Sequence, residues 1–147
     1  MESINMYAVG IDVGGTAIKI GLFEKNGRLV DKKEIPTRHE NNCEFVFSDM
    51  AEAVKEVLKN NSVKKENVSS IGIGMPGPVV NNVVQHCVNL GWQNKIDAAG
   101  ITEKLTGIKT VVLNDADAAG YGELWQGSAK SYKNVVLVTI GTGVGGA

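Results

Sequence analysis

Aromatic side chains are scarce, at 5% of the 147 residues. A core must therefore be built mainly from Val, Ile, Leu and Ala. Cysteine is limited to Cys43 and Cys87. The pair lacks C-x-x-C spacing, and neither His39 nor His86 stands at metal-ligand spacing from them, so the two histidines receive no role. The cysteines read as reduced thiols of a cytoplasmic protein, with a disulfide between them as the lesser alternative. The net charge is −1, which argues against an electrostatic grip on nucleic acid or anionic membranes. No apolar run approaches the roughly 20 residues of a membrane span. Residues 1–7 lack the basic start and apolar core of a signal peptide. No G-K-[ST] occurs, so there is no P-loop.

What is present is a soluble globular composition, 43% hydrophobic and 21% charged, at a length that suits one domain. Residues 7–13 read as a buried strand. Strands at 18–24 and 29–35 follow, joined across Asn26-Gly27, a strong hairpin signal. Together the three make an antiparallel meander. An amphipathic helix spans 44–59, with Phe47, Met50, Ala51, Val54, Val57 and Leu58 on one face and Asn42 as its N-cap. A strand at 68–75 ends in Pro76-Gly77-Pro78. Residues 79–88 read as an extended excursion turning at Asn81-Asn82. A helix at 97–105 has Asp97 as cap, Ile101 and Leu105 as apolar pair and Gly107 as stop. A strand at 110–113, a helix at 115–125 and a strand at 135–140 complete the order. This alternation predicts an α/β fold, a mixed sheet with helices on both faces.

Two glycine-rich loops follow apolar runs: Asp12-Val13-Gly14-Gly15-Thr16, and Gly141-Thr142-Gly143-Val144-Gly145-Gly146. Glycines at a strand end expose backbone N–H groups that suit phosphate oxygens. A carboxylate such as Asp12 there can hold Mg²⁺ through water. An ordinary Gly-Gly hairpin, with Asp12 satisfying turn amides, is the plainer alternative. The second loop also satisfies G-x-G-x-x-G, but the helix and the acidic residue about 20 positions on that a dinucleotide fingerprint needs would fall beyond Ala147, and such a fingerprint usually sits at the first strand of its fold. Asn114-Asp115 lies where a strand meets a helix, a usual place for ligands in open sheets, although either residue also suits an N-cap. The small residues Ala116, Ala118, Ala119, Gly120 and Gly122 favour tight helix–sheet packing. Asn89 stands near Trp92 in an Asn-Leu-Gly-Trp run, with Trp92 read chiefly as core.

Taken in order, IDVGGTAIKIGLF, GIGMPGPV, NLGW, NDADAAGYGE and TIGTGVGGA resemble the ROK sugar kinases, closest to the glucokinase branch. The resemblance implies the actin/hexokinase-like (ribonuclease H-like) fold. It implies ATP and Mg²⁺ as cofactors and a hexose substrate, glucose giving glucose 6-phosphate. It places Asp12, Gly14, Gly15 and Thr16 in the first phosphate loop, with Asp12 on Mg²⁺ through water. Gly141, Thr142 and Gly143 fall in the second. Asp115 matches the catalytic base, and Asn114, Gly77 and Asn89 match sugar-contacting positions. Asp117 stands where the family often has Asn. Ala17 stands where it often has Lys, with Lys19 two residues on.

On the same resemblance, residues 1–133 are expected to form an N-terminal lobe and 134–147 the first strand and phosphate loop of a second. The remaining sugar ligands, the adenosine pocket and a structural zinc site would lie beyond Ala147, so this chain alone is expected to be inactive and zinc-free. The intact protein would be a cytoplasmic homodimer without nucleic-acid or membrane partners. A ROK-type transcriptional repressor is the rival reading, but it needs a DNA-binding segment before the first loop. A sugar lobe that binds without chemistry is a third reading, and a dinucleotide oxidoreductase the weakest.

Overall fold

The structure, a computed structural model, describes residues 6–141 and 144–147. Its centre is a five-stranded sheet in the order β3-β2-β1-β4-β7. β1 (Tyr7–Val13), β2 (Ala17–Glu24) and β3 (Leu29–Pro36) form the expected antiparallel meander. The turn between β2 and β3 uses Gly27 at φ 89°, and the Asn26 side chain accepts from the Arg28 amide at 2.8 Å. β4 (Val68–Met75) runs parallel to β1, and β7 (Thr110–Asn114) parallel to β4.

Pleat and register sort the two faces of this sheet. Val9 and Ile11 lie level with Ile71 and Ile73, and all four are buried. That face is covered by α2 (Val46–Asn60), whose Met50, Val54, Val57 and Leu58 are buried in the same core, and by α3 (Ala98–Thr106) packed beside α2. The opposite face carries Gly10, level with both Gly21 and Gly72, and Asp12 level with Gly74. Its partner is α4 (Asp115–Gln126), packed against β4 and β7. A Cβ on Gly74 would sit 3.5 Å from the Asp115 Cα and 3.6 Å from the Ala118 Cβ. The small residues of α4 thus serve close helix–sheet packing.

Three local expectations are corrected. Asn42 does not cap α2, because Asn41, Asn42 and Cys43, in the short turn α1 (Glu40–Cys43), all have positive φ, and α2 starts after Phe45 with no side-chain cap. The Asn42 carbonyl instead accepts the Trp92 indole N–H at 2.6 Å. In α3, Asp97 and Gly107 cap and stop the helix as expected. Its buried contacts, however, are Ala98, Ala99 and Thr102, while Ile101 and Leu105 remain exposed. Small residues let α3 approach α2 closely, which turns the larger side chains outward. Finally, the last expected strand begins at Val138 rather than Val135. It does not join the main sheet; β8 (Val138–Ile140) pairs with β9 (Val144–Gly146) in a hairpin. β5 (Val79–Val80) and β6 (Val83–Val84) form a second small hairpin around Asn81 and Asn82, both at positive φ.

Candidate active site

β1, β4 and β7 run in one direction and lie side by side, so their C-terminal ends form one edge. Open α/β sheets bind ligands outside such an edge. It carries Asp12, the Pro76-Gly77-Pro78 turn and Asn114-Asp115.

The first glycine loop is braced from one side. The Gly14 amide donates to the Ala17 carbonyl at 2.9 Å. Thr37, buried at the end of β3, donates its hydroxyl to the Gly14 carbonyl at 2.7 Å and its amide to the Thr16 carbonyl at 2.9 Å. His39 Nε2 lies 2.6 Å from the Gly15 carbonyl. Among the described residues, the amides of Gly15 and Thr16 donate to no protein acceptor. Two adjacent free N–H groups at a glycine turn are what an anion-binding nest requires.

Asp12 and Asp115 converge on one cavity of about 620 Å³, shared with Lys19, Gly74, Ala118 and Ala119. Both carboxylates belong to exposed residues. Among the described residues neither enters an ion pair. Asp115 opens α4, where the helix dipole favours a carboxylate, and one of its oxygens accepts from the Ala116 amide at 2.9 Å. Asp117 lies two residues on and lines a different cleft, with Gly120, Leu137 and Ala147. A free carboxylate beside free amides fits hydrated Mg²⁺ carrying a polyphosphate: Mg²⁺ keeps most of its waters, and the amides suit phosphate oxygens.

Asn114 both caps α4 and ties the edge together. Its Oδ1 accepts from the Ala116 amide at 2.9 Å, and its Nδ2 donates to the Gly77 carbonyl at 3.0 Å. One Nδ2 hydrogen is left over for a ligand. Gly77 faces the His86 carbonyl so closely that a Cβ would collide with it. Asn89 is exposed in a turn pinned by reciprocal Cys87–Trp92 backbone bonds of 2.8 and 2.9 Å. A Cβ on Gly15 would touch Asn89 at 3.6 Å, so this turn abuts the glycine loop. Trp92 is buried and stacks on Phe47 at 5.5 Å.

Of the second glycine loop, residues 141 and 144–146 are described. Gly141 is exposed and does not line the shared cavity, and Thr142 and Gly143 lie outside the described residues. The hairpin rests on α4, where a Cβ on Gly145 would lie 3.2 Å from that of Ala116. Thr37 and His39 are the site residues that sequence reasoning missed. Their contacts are to backbone carbonyls, which no motif spacing reveals. The one available signal was a Thr and a His within three residues of a strand end.

The fold is that of an actin/hexokinase-like lobe, with its polar groups at the edge where the parallel strands end. Residues 8–147 match the ROK family, and the chain belongs to it. It is similar to the glucokinase of Halalkalibacterium halodurans, 37% identical over 142 residues that span 95% of this chain and 43% of that protein. A ROK family glucokinase from Streptomyces griseus, solved in complex with glucose and AMPPNP, superposes with a TM-score of 0.77 at 27% identity, covering 95% of this chain and 43% of that one. A ROK family transcriptional regulator homologous to the E. coli MLC protein superposes at 0.83 with 21% identity, over 97% of this chain and 36% of that one, which is a likeness of fold alone. The chain thus spans less than half the length of these relatives.

Proposed function

We propose that the intact protein containing this chain transfers a phosphoryl group from ATP to a hydroxyl of a hexose, glucose giving glucose 6-phosphate. The observation that carries this reading is the convergence of Asp12 and Asp115 on one cavity, beside a glycine loop with two free amides. The likeness to proteins named glucokinase supports it. Bound Mg·ATP supplies the phosphoryl group; the chain's own task is positioning and charge stabilisation. The Gly15 and Thr16 amides would hold phosphate oxygens, Gly14 shapes the turn with its own amide bound to the Ala17 carbonyl, and Asp12 would hold Mg²⁺ through water. Asn114, Gly77 and Asn89 orient the sugar, and Asp115 accepts the proton of the attacking hydroxyl. Gly141, Thr142 and Gly143 form the second phosphate loop, at the start of a second lobe comprising 134–147 and whatever follows it.

General-base catalysis is worth about 10²–10⁴-fold in rate. Asp115→Ala in the intact protein should therefore lower kcat by at least about 10², while calorimetry shows glucose still binding. A variant with wild-type kcat would sink the assignment. The regulator reading rests on likeness of fold, and salt-dependent retention of DNA by the intact protein would favour it instead.

A further inference from the structure

The braces on the first glycine loop come from one short segment. Thr37, Arg38 and His39 follow β3, and the chain then bends through Asn41, Asn42 and Cys43, all at positive φ. The segment is anchored independently of the site. The Arg38 guanidinium donates to both oxygens of Asp49 on α2, at 2.8 and 2.6 Å, and lies 4.1 Å above the Phe45 ring centroid. Asn42 is held by the Trp92 indole. From this frame Thr37 engages the carbonyls of Gly14 and Thr16, and His39 that of Gly15.

The consequence follows from peptide planarity. In a trans peptide the C=O of one residue and the N–H of the next point in opposite directions. Holding the Gly14 carbonyl therefore aims the Gly15 amide away from the brace, and holding the Gly15 carbonyl aims the Thr16 amide the same way. Glycine is so permissive in φ and ψ that an unheld Gly14-Gly15 pair would sample many other orientations. We infer that His39 is a positioning residue: by fixing the Gly15 peptide it presents the Thr16 amide, and with Thr37 the Gly15 amide, as a preformed receptor for a polyphosphate.

The chemistry of the ring agrees. The Gly15 carbonyl only accepts, so Nε2 carries the proton and donates. In the neutral ring Nδ1 is then an acceptor, and Cys43 Sγ lies 3.5 Å from it. Cys43 is buried, and desolvation pushes its thiol above the usual range, which keeps an S–H available to donate. The ring is thus gripped at both nitrogens. Pre-organisation of this kind raises affinity by lowering the ordering cost of binding.

This inference rests on the phosphate-loop reading, and the test separates the two. The ¹⁵N-labelled chain is titrated with inorganic tripolyphosphate and Mg²⁺, following the Gly15 and Thr16 amide resonances. The wild type should show saturable shifts at both amides. His39→Ala should weaken the Kd by about tenfold, the worth of one well-placed hydrogen bond, with the melting temperature lowered by no more than about 4 °C and the chain still folded. His39→Gln, which restores an N–H donor near the Nε2 position, should recover most of the loss. No shift in the wild type would overturn the phosphate loop and this inference together. A wild-type response matched by His39→Ala, or a loss that His39→Gln does not repair, would overturn the role of His39 alone.

Discussion

The side-chain amide of Asn114 donates to the Gly77 carbonyl at 3.0 Å, while the oxygen of the same amide caps α4. One side chain thus joins the end of β7, the start of α4 and the turn after β4. Removing it costs a cap of about 1 kcal/mol and a part-buried hydrogen bond of similar worth. Asn114→Ala is expected to lower stability by about 2 kcal/mol in urea denaturation. Asn114→Asp keeps the capping oxygen but sets a carboxylate against the Gly77 carbonyl, and should recover the cap's share and no more.

Glycines within this sheet and at its edge are not equivalent. A Cβ on Gly14 would lie 2.8 Å from the Ala17 carbonyl, the acceptor of its own amide. A Cβ on Gly72, in mid-strand, would meet nothing within 4 Å. Replacing strand glycine by alanine gains roughly 0.5–1 kcal/mol of chain entropy where space allows. Gly72→Ala should therefore be neutral or stabilising, whereas Gly14→Ala should lower the melting temperature and the affinity for tripolyphosphate. Equal effects of the two would refute the distinction.

The meander, the parallel strands and the apolar stripe of α2 were all legible in the sequence, because each is a period of two or 3.6 residues and a turn signal such as Asn26-Gly27. The apolar pair expected in α3 failed because Ala98 and Ala99 allow an approach that large side chains do not, and hydrophobic spacing alone favours size. Asn42 failed as a cap because the chain turns at positive φ through Asn41, Asn42 and Cys43 and α2 begins only after Phe45; the turn is held by Trp92, 50 residues away in sequence, on the Asn42 carbonyl. At the site, Asp12, Asn114 and Asp115 stood out through their place at strand ends. His39 did not, since a side chain holding a distant backbone carbonyl leaves no local pattern.

In the proposed function Asp12 would hold Mg²⁺ through water, and loss of such an outer contact typically weakens a metal site by about 10–100-fold. In the intact protein, Asp12→Asn should raise the Mg²⁺ concentration needed for half-maximal activity by about tenfold or more, with the KM for glucose changed little. A shift in the glucose KM alone would move Asp12 from the phosphate side of the site to the sugar side.

The two thiols give the fold a dependence on alkaline pH whose sign can be worked out. Burial pushes both Cys43 and Cys87 above the ordinary thiol range, because desolvation disfavours the thiolate. An unfolded cysteine titrates near about 8.5. Above that pH the unfolded chain has lost protons that the folded chain still holds, so stability falls as pH rises. Below it both states are protonated and the contribution is fully present. Denaturant melts of the wild type should therefore show stability declining between about pH 8 and 9.5, ahead of tyrosine and lysine titration. The double variant Cys43→Ala and Cys87→Ala, less stable at neutral pH because it leaves cavities in the core, should show a flatter profile over the same window. Parallel profiles for the two proteins would mean that the buried thiols ionise as readily in the folded chain as in the unfolded one.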